Sequence, residues 1–181
     1  MKKTFSLLAL LLLTAATSFA GDTVASKKVV VADDCRFRAN EWQIDWSTVG
    51  AAGVVHGQGK QGLGGNLGVN YFFSKYFGIG LDNSVGSVRN AGMTGFNGLQ
   101  ADYGIQGDLL FRYPICAWNI APYAMIGGGG HWGPSSQGDG NVGGGLEYRV
   151  TPNIGLFADC RWLYGTQLSM ALPRVGMRFA F

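Results

Sequence analysis

Between Leu99 and Tyr113 the chain alternates strictly. Leu99, Ala101, Tyr103, Ile105, Gly107, Leu109, Phe111 and Tyr113 share one face, and Gln100, Asp102, Gly104, Gln106, Asp108, Leu110 and Arg112 the other. A helix would scatter these two sets around its circumference, whereas a strand separates them. The stretch exceeds the usual globular strand of about five or six residues and suits a tilted crossing of a bilayer, which takes roughly 9–11.

The same pattern recurs along the chain. Trp42, Ile44 and Trp46 alternate with Gln43, Asp45 and Ser47; Leu63, Leu67, Val69 and Tyr71 with Gly64, Asn66, Gly68 and Asn70; Phe77, Ile79, Leu81 and Val85 with Gly78, Gly80, Asp82, Ser84 and Gly86. A fifth strand over about residues 120–130 is apolar on both faces at Ala124-Met125-Ile126, and the phase with Tyr123 and Met125 outward is expected. Val142, Leu146, Tyr148 and Val150 oppose Glu147 and Arg149 in the sixth. Leu156, Ala158, Cys160, Trp162 and Tyr164 oppose Asp159 and Arg161 in the seventh, and Val175, Met177, Phe179 and Phe181 oppose Arg174, Gly176, Arg178 and Ala180 in the eighth. Eight is an even number, as a closed bacterial barrel requires. Tight connections are expected at residues 73–75, 114–118 and 151–153, facing the periplasm. Longer glycine-rich loops are expected outside, near 52–62, 88–98 and 131–141, with a short last one near 165–169.

Ahead of the strands, Met1-Lys2-Lys3, an apolar run from Phe5 to Leu13 and small residues at Ser18 and Ala20 predict a secretory signal peptide over residues 1–20. The apolar run is too short to span hydrocarbon as a helix. Residues 21–41 then form a polar N-terminal lead-in and 42–181 the barrel, giving an all-β, eight-stranded, antiparallel up-and-down transmembrane barrel. Losing Lys2 and Lys3 lowers the formal charge from +3 by two, to +1, which offers no electrostatic case for nucleic acid. Thirty glycines, 13% aromatic residues and 14% charged ones depart from soluble-domain usage of about 25% charged. Yet the mature part holds no continuous apolar stretch, which excludes a helical membrane protein.

In these strands Asp45, Asp82, Asp102, Asp108, Arg112, Glu147, Arg149, Asp159, Arg161, Arg174 and Arg178 all fall on the polar face. Facing lipid near the midplane, an Arg or Lys would cost about 2–4 kcal/mol. Inside a barrel of about eight strands, just wide enough for side chains to fill, the two signs can neutralise each other as a lumenal charge network. A soluble sandwich or lipocalin-like barrel would show the same alternation turned inside out. Strand length and scarce Lys and Glu weigh against it. So does the aromatic set Trp42, Tyr71, Phe72, Phe73, Tyr76, Phe77, Phe111, Tyr113, Trp118, Tyr123 and Tyr148, which flanks the proposed periplasmic turns as an interfacial girdle would.

Cys35, Cys116 and Cys160 lack metal-type spacing. Cys35 in the lead-in and Cys116 in a periplasmic turn share one side of the membrane, so a disulfide between them is expected, with Cys160 mid-strand and free. His56 and His131 are the two histidines; Ser135, Ser136 and Asp139 near His131 raise a Ser-His-acid arrangement, but solvated turn residues explain them better. The glycine run 127–130 is followed by no helix start or Lys-Ser/Thr pair and so is no phosphate loop. No catalytic residue, metal ligand or cofactor is assigned.

The chain ends Val175-Gly176-Met177-Arg178-Phe179-Ala180-Phe181, with an aromatic terminus in phase with the apolar face. This resembles the C-terminal assembly signal of outer-membrane proteins, carried here by Val175, Met177, Phe179 and Phe181. With the strand count and signal peptide, the chain resembles the OmpA/OmpX-like superfamily of eight-stranded outer-membrane barrels over about residues 42–181. The resemblance implies recognition by the barrel-assembly machinery and residence, as a monomer, among outer-membrane lipids and lipopolysaccharide of a Gram-negative-type envelope. The implied role is structural or surface-interacting; a narrow channel for ions or small solutes is the alternative, and a lipid-A-modifying enzyme a third.

Overall fold

Residues 35–93, 98–133 and 136–181 are described by a computed structural model. Eight strands follow in order: β1 (Glu41–Val55), β2 (Gln58–Phe72), β3 (Phe77–Asn90), β4 (Gln100–Arg112), β5 (Ile120–Trp132), β6 (Gln137–Arg149), β7 (Ile154–Tyr164) and β8 (Leu168–Ala180). Each pairs antiparallel with the next, and β8 returns to β1 to close the barrel. The signal peptide and residues 21–34 of the lead-in lie outside the described residues. β1 begins at Glu41, one residue before the alternation places it.

Burial decides between the two inside-out alternatives. Leu63 is 78% exposed and Leu109 64%, while Arg112 and Arg149 are fully buried. Charge is inside and apolar surface outside, the reverse of a soluble protein. With the strands 11 to 15 residues long, a rise of about 3.3 Å per residue and a tilt near 40° make the longer walls roughly 35 Å tall, about 10 Å more than an outer-membrane apolar band. Outward aromatics mark the band's edge at the end where β1 starts and β8 finishes. Trp42 packs on Tyr71 with centroids 4.8 Å apart and Phe77 on Phe111 at 5.2 Å. Phe72 and Tyr123, expected in this girdle, are buried instead.

Three expectations need correction. The fifth strand has the opposite phase: Tyr123 and Met125 point inward and Ile126 outward. The lumen at that level offers Tyr123 a carboxylate to bond and Met125 a gap between arginines, so an apolar run gives no phase by itself. The long loop expected near residues 52–62 is strand on both sides of a two-residue turn, His56 (φ 50) and Gly57 (φ 75). Both residues take the positive φ that matches the twist of a tight hairpin. Gly53 and Gly62 on either side of it are strand positions where a Cβ would collide with the neighbouring backbone. Finally, the expected contrast between the ends is weaker than the glycine content suggests. The longest connection, 91–99, does lie at the end opposite the start of β1, but the others there are short, 56–57, 133–136 and 165–167, against 73–76, 113–119 and 150–153 at the end where β1 starts.

The closing seam has one interruption. Between the pairs Val49↔Arg174 and Ala52↔Ala171, the β1–β8 ladder skips Gly50 and Ala51, beside Pro173, which has no N–H to give.

Candidate functional site

The lumen is the place where this chain concentrates its chemistry, and the alternation puts it there: inward positions of every strand carry the polar residues. At the terminal mouth, Glu41 Oε1 accepts from Arg112 Nη1 at 2.9 Å and Arg149 Nη2 at 2.7 Å. The Phe37 ring, fully buried, lies beside both guanidiniums at 5.2 and 5.1 Å. Main-chain oxygens fix this segment and its surroundings. Arg112 Nη2 donates to Arg38 O at 2.9 Å, and Arg36 Nη1 to Arg149 O at 2.6 Å and Val150 O at 2.7 Å. Cys35 and Cys116 are joined by a disulfide, with Cα atoms 4.8 Å apart. The end of the lead-in thus forms a stopper seated in the mouth.

Deeper in, Arg149 also meets Glu147. Arg178 holds Asp45 in a bidentate pair, both bonds 2.6 Å, and donates to Glu147 Oε2 at 2.6 Å. In the next layer Arg174 grips Asp159 at 2.7 and 2.8 Å and reaches Asp82 Oδ1 at 3.1 Å. Tyr123 donates its hydroxyl to Asp159 Oδ2 at 2.5 Å. Arg161 Nη2 lies 2.5 Å from both Asp82 Oδ2 and Asp108 Oδ2. Glycines opposite these charges make the room: a Cβ on Gly155 would stand 3.1 Å from Arg149 Cδ.

Toward the far end the two sides of the lumen differ. On β4–β6, Gln106 Nε2 donates to Asp139 Oδ1 at 2.7 Å, Asn141 Nδ2 to Gln106 Oε1 at 2.9 Å, and His131 Nε2 lies 2.7 Å from Asp102 Oδ1. On β1, β7 and β8, Val49, Val55, Leu163, Leu168, Met170 and Leu172 form an apolar cluster. Between them a cavity of about 20 Å³, lined by Val49, Ser84, Val88, Asp102, His131 and Leu172 among others, has room for one water. Among the described residues no three His, Cys, Asp or Glu side chains converge as metal ligands. His56 occupies the β1–β2 turn; Ser136 is exposed, and Ser135 lies outside the described residues.

All eleven charged residues singled out in the sequence face this lumen, Asp102 least buried among them. Sequence reasoning left out Glu41, Tyr123, His131, Asp139 and Asn141. Extending the β1 alternation back by two from Gln43 reaches Glu41, and extending the β6 alternation back from Glu147 reaches Asn141 and Asp139, so the signal was present for those three. Val175 and Phe181 are well exposed on the outer wall, and the Phe181 N–H donates to Trp42 O at 2.9 Å; Met177 and Phe179 are half-buried. Cys160 is free and faces outward.

No protein-family model matches the chain, and no curated protein sequence does. Solved structures do. Neisserial surface protein A (NspA) superposes with a TM-score of 0.64 at 16% identity, over 77% of this chain and 97% of that one. The attachment invasion locus protein Ail of Yersinia pestis gives 0.57 at 17% identity over 79% and 99%. The outer-membrane protein OprG of Pseudomonas aeruginosa gives 0.54 at 10% identity over 81% and 99%. At such identities the likeness is one of fold. The chain has the fold of the small, eight-stranded, OmpA/OmpX-like outer-membrane β-barrels.

Proposed function

We propose that the protein is a non-conducting, non-catalytic outer-membrane barrel with a structural or surface-interaction role, its termini in the periplasm. The observation that carries this reading is the filled lumen. A stopper at Phe37, a ladder of ion pairs from Glu41 to Arg161 and an apolar cluster at the far end follow one another along the axis. The cavity beside His131 is only water-sized, which favours a plug over a channel. The outward apolar wall and its girdle support residence among outer-membrane lipids and lipopolysaccharide, and the in-phase terminal Phe181 supports delivery by the barrel-assembly machinery. Ail is named for attachment. Here three far-end connections have four residues or fewer, so a surface contact would fall on the 91–99 loop and the protruding strand ends.

Purified protein run unboiled and boiled on a denaturing gel should shift in mobility, as a detergent-resistant barrel does. The same protein in a planar bilayer should be electrically silent. Steady conductance steps would replace the plug with the channel reading.

A further inference from the structure

The lumen's charges do not balance, and the imbalance has a location. Seven carboxylates are buried there (Glu41, Asp45, Asp82, Asp108, Asp139, Glu147 and Asp159) against five guanidiniums, Arg112, Arg149, Arg161, Arg174 and Arg178. Buried His131 and half-buried Asp102 pair with each other, and the half-exposed Arg38, 3.8 Å from Glu41, adds positive charge only at the mouth, so the excess of buried carboxylates falls at the other end of the ladder. From Glu41 to Asp159 and Asp82, every carboxylate touches an arginine. Asp108 only shares Arg161 with Asp82, and Asp139 touches none, its Oδ1 held by the Gln106 amide. A buried uncompensated charge is too costly to persist without a partner.

The strand register gathers the unmatched groups around two glycines of β5. Asp108 and Asn141 stand on either side of Gly127, and Gln106 and Asp139 on either side of Gly129, in adjacent rungs of β4, β5 and β6. At this level β5 contributes no side chain to the lumen. Asp108 Oδ1 points into the space above Gly127, where a Cβ would collide with it. Asp108 Oδ1, Asp139 Oδ2 and Asn141 Oδ1 are all buried and have no hydrogen-bond partner among the described residues. Two carboxylates and an amide carbonyl, all oxygen, form the donor set that hard cations such as Ca²⁺ take.

We infer that the glycine-floored bay between β4 and β6 is a binding site for a hard metal cation, held by Asp108, Asp139 and Asn141. Its neighbours explain why one cation suffices: Arg161 already offsets part of the charge on the Asp82–Asp108 side. The site is independent of the lumen's conductance and of any surface role.

The test uses full-length mature protein refolded in nonionic detergent, freed of cations with chelator and held at constant ionic strength with choline chloride. The thermal midpoint of the gel-mobility shift is read against CaCl₂, MgCl₂ and NaCl. The expected result is a saturable rise in midpoint with at least one of these salts. Asp139→Asn, which keeps an acceptor for Gln106, should remove that rise and should itself melt higher than wild type in chelator. A midpoint indifferent to all three cations, or an Asp139→Asn protein that responds like wild type, overturns the inference. So does a midpoint that rises on acidification and ignores every cation, which would mean a proton balances the charge. If the variant does not fold, equilibrium dialysis of Ca²⁺ against folded and heat-unfolded wild type decides: about one ion per folded chain is expected, and equal uptake by both overturns the site.

Discussion

Arg178 is the side chain on which the lower half of the ladder depends. Its guanidinium makes three charge-assisted bonds of 2.6 Å, two to Asp45 and one to Glu147, all within the sealed lumen. In Arg178→Gln, Asp45 would keep only the Asn70 amide at 2.9 Å, while Glu147 would keep Arg149. One carboxylate is thereby left buried without a counter-charge, for which a loss of about 3–5 kcal/mol is expected. Equilibrium urea unfolding in detergent or bilayers, followed by tryptophan fluorescence at neutral pH, reads that loss directly. The double variant Asp45→Asn/Arg178→Gln removes the stranded charge along with its partner. It should recover part of the deficit, with a coupling of about 1–3 kcal/mol. An exposed control, Arg38→Gln, should cost under about 1 kcal/mol. If Arg178→Gln were no more costly than that control, or the two substitutions simply added, the lumen would be hydrated and the ladder energetically unimportant.

Other substitutions probe separate parts of the molecule. Phe37→Ala unseats the stopper between Arg112 and Arg149 and should cost about 3–5 kcal/mol; trypsin should then cut at Arg36 and Arg38, and equal protection of both proteins would refute the seating. Cys35→Ser opens a link spanning 81 residues and should cost about 2–4 kcal/mol, read as the same midpoint shift that reductant produces in the wild type. Gly155→Ala should destabilise by about 1–3 kcal/mol through crowding against Arg149, which urea unfolding measures. Cys160, outward at mid-strand, should react with a lipid-soluble maleimide and resist a charged one in bilayers; equal rates would place it in water.

Much of this architecture was legible in the alternation. The positions of Asp102, Asp108 and Arg112 follow from a single strand's period, because a one-residue error would put each of them in lipid. Where side chains on both faces are apolar the period is silent, and there the reading of Tyr123 and Met125 went the wrong way. The apolar cluster of Val55, Leu168 and Met170 was hidden for a related reason: inside a closed tube a hydrophobic residue can be buried by its neighbours as well as by lipid. Glycine misled most around residues 52–62. Its abundance suggested a loop, whereas at Gly53 and Gly62 it reports close approach of neighbouring strands. The pairing partners of Arg161, Arg174 and Arg178 sit 15 to 133 residues away in sequence, and only the register of all eight strands brings them together.

The skipped rungs at Gly50 and Ala51 bear on how such a tube is made and unmade. Seven of its eight junctions join strands that are neighbours in the chain, so each can zip from a turn. The eighth joins the two ends of the barrel's own sequence, has no turn to nucleate it, and carries Pro173 at its middle. It is the junction with the greatest entropy of closure and an interrupted ladder. Under mechanical load, or during insertion, this seam is where the sheet should part first and seal last.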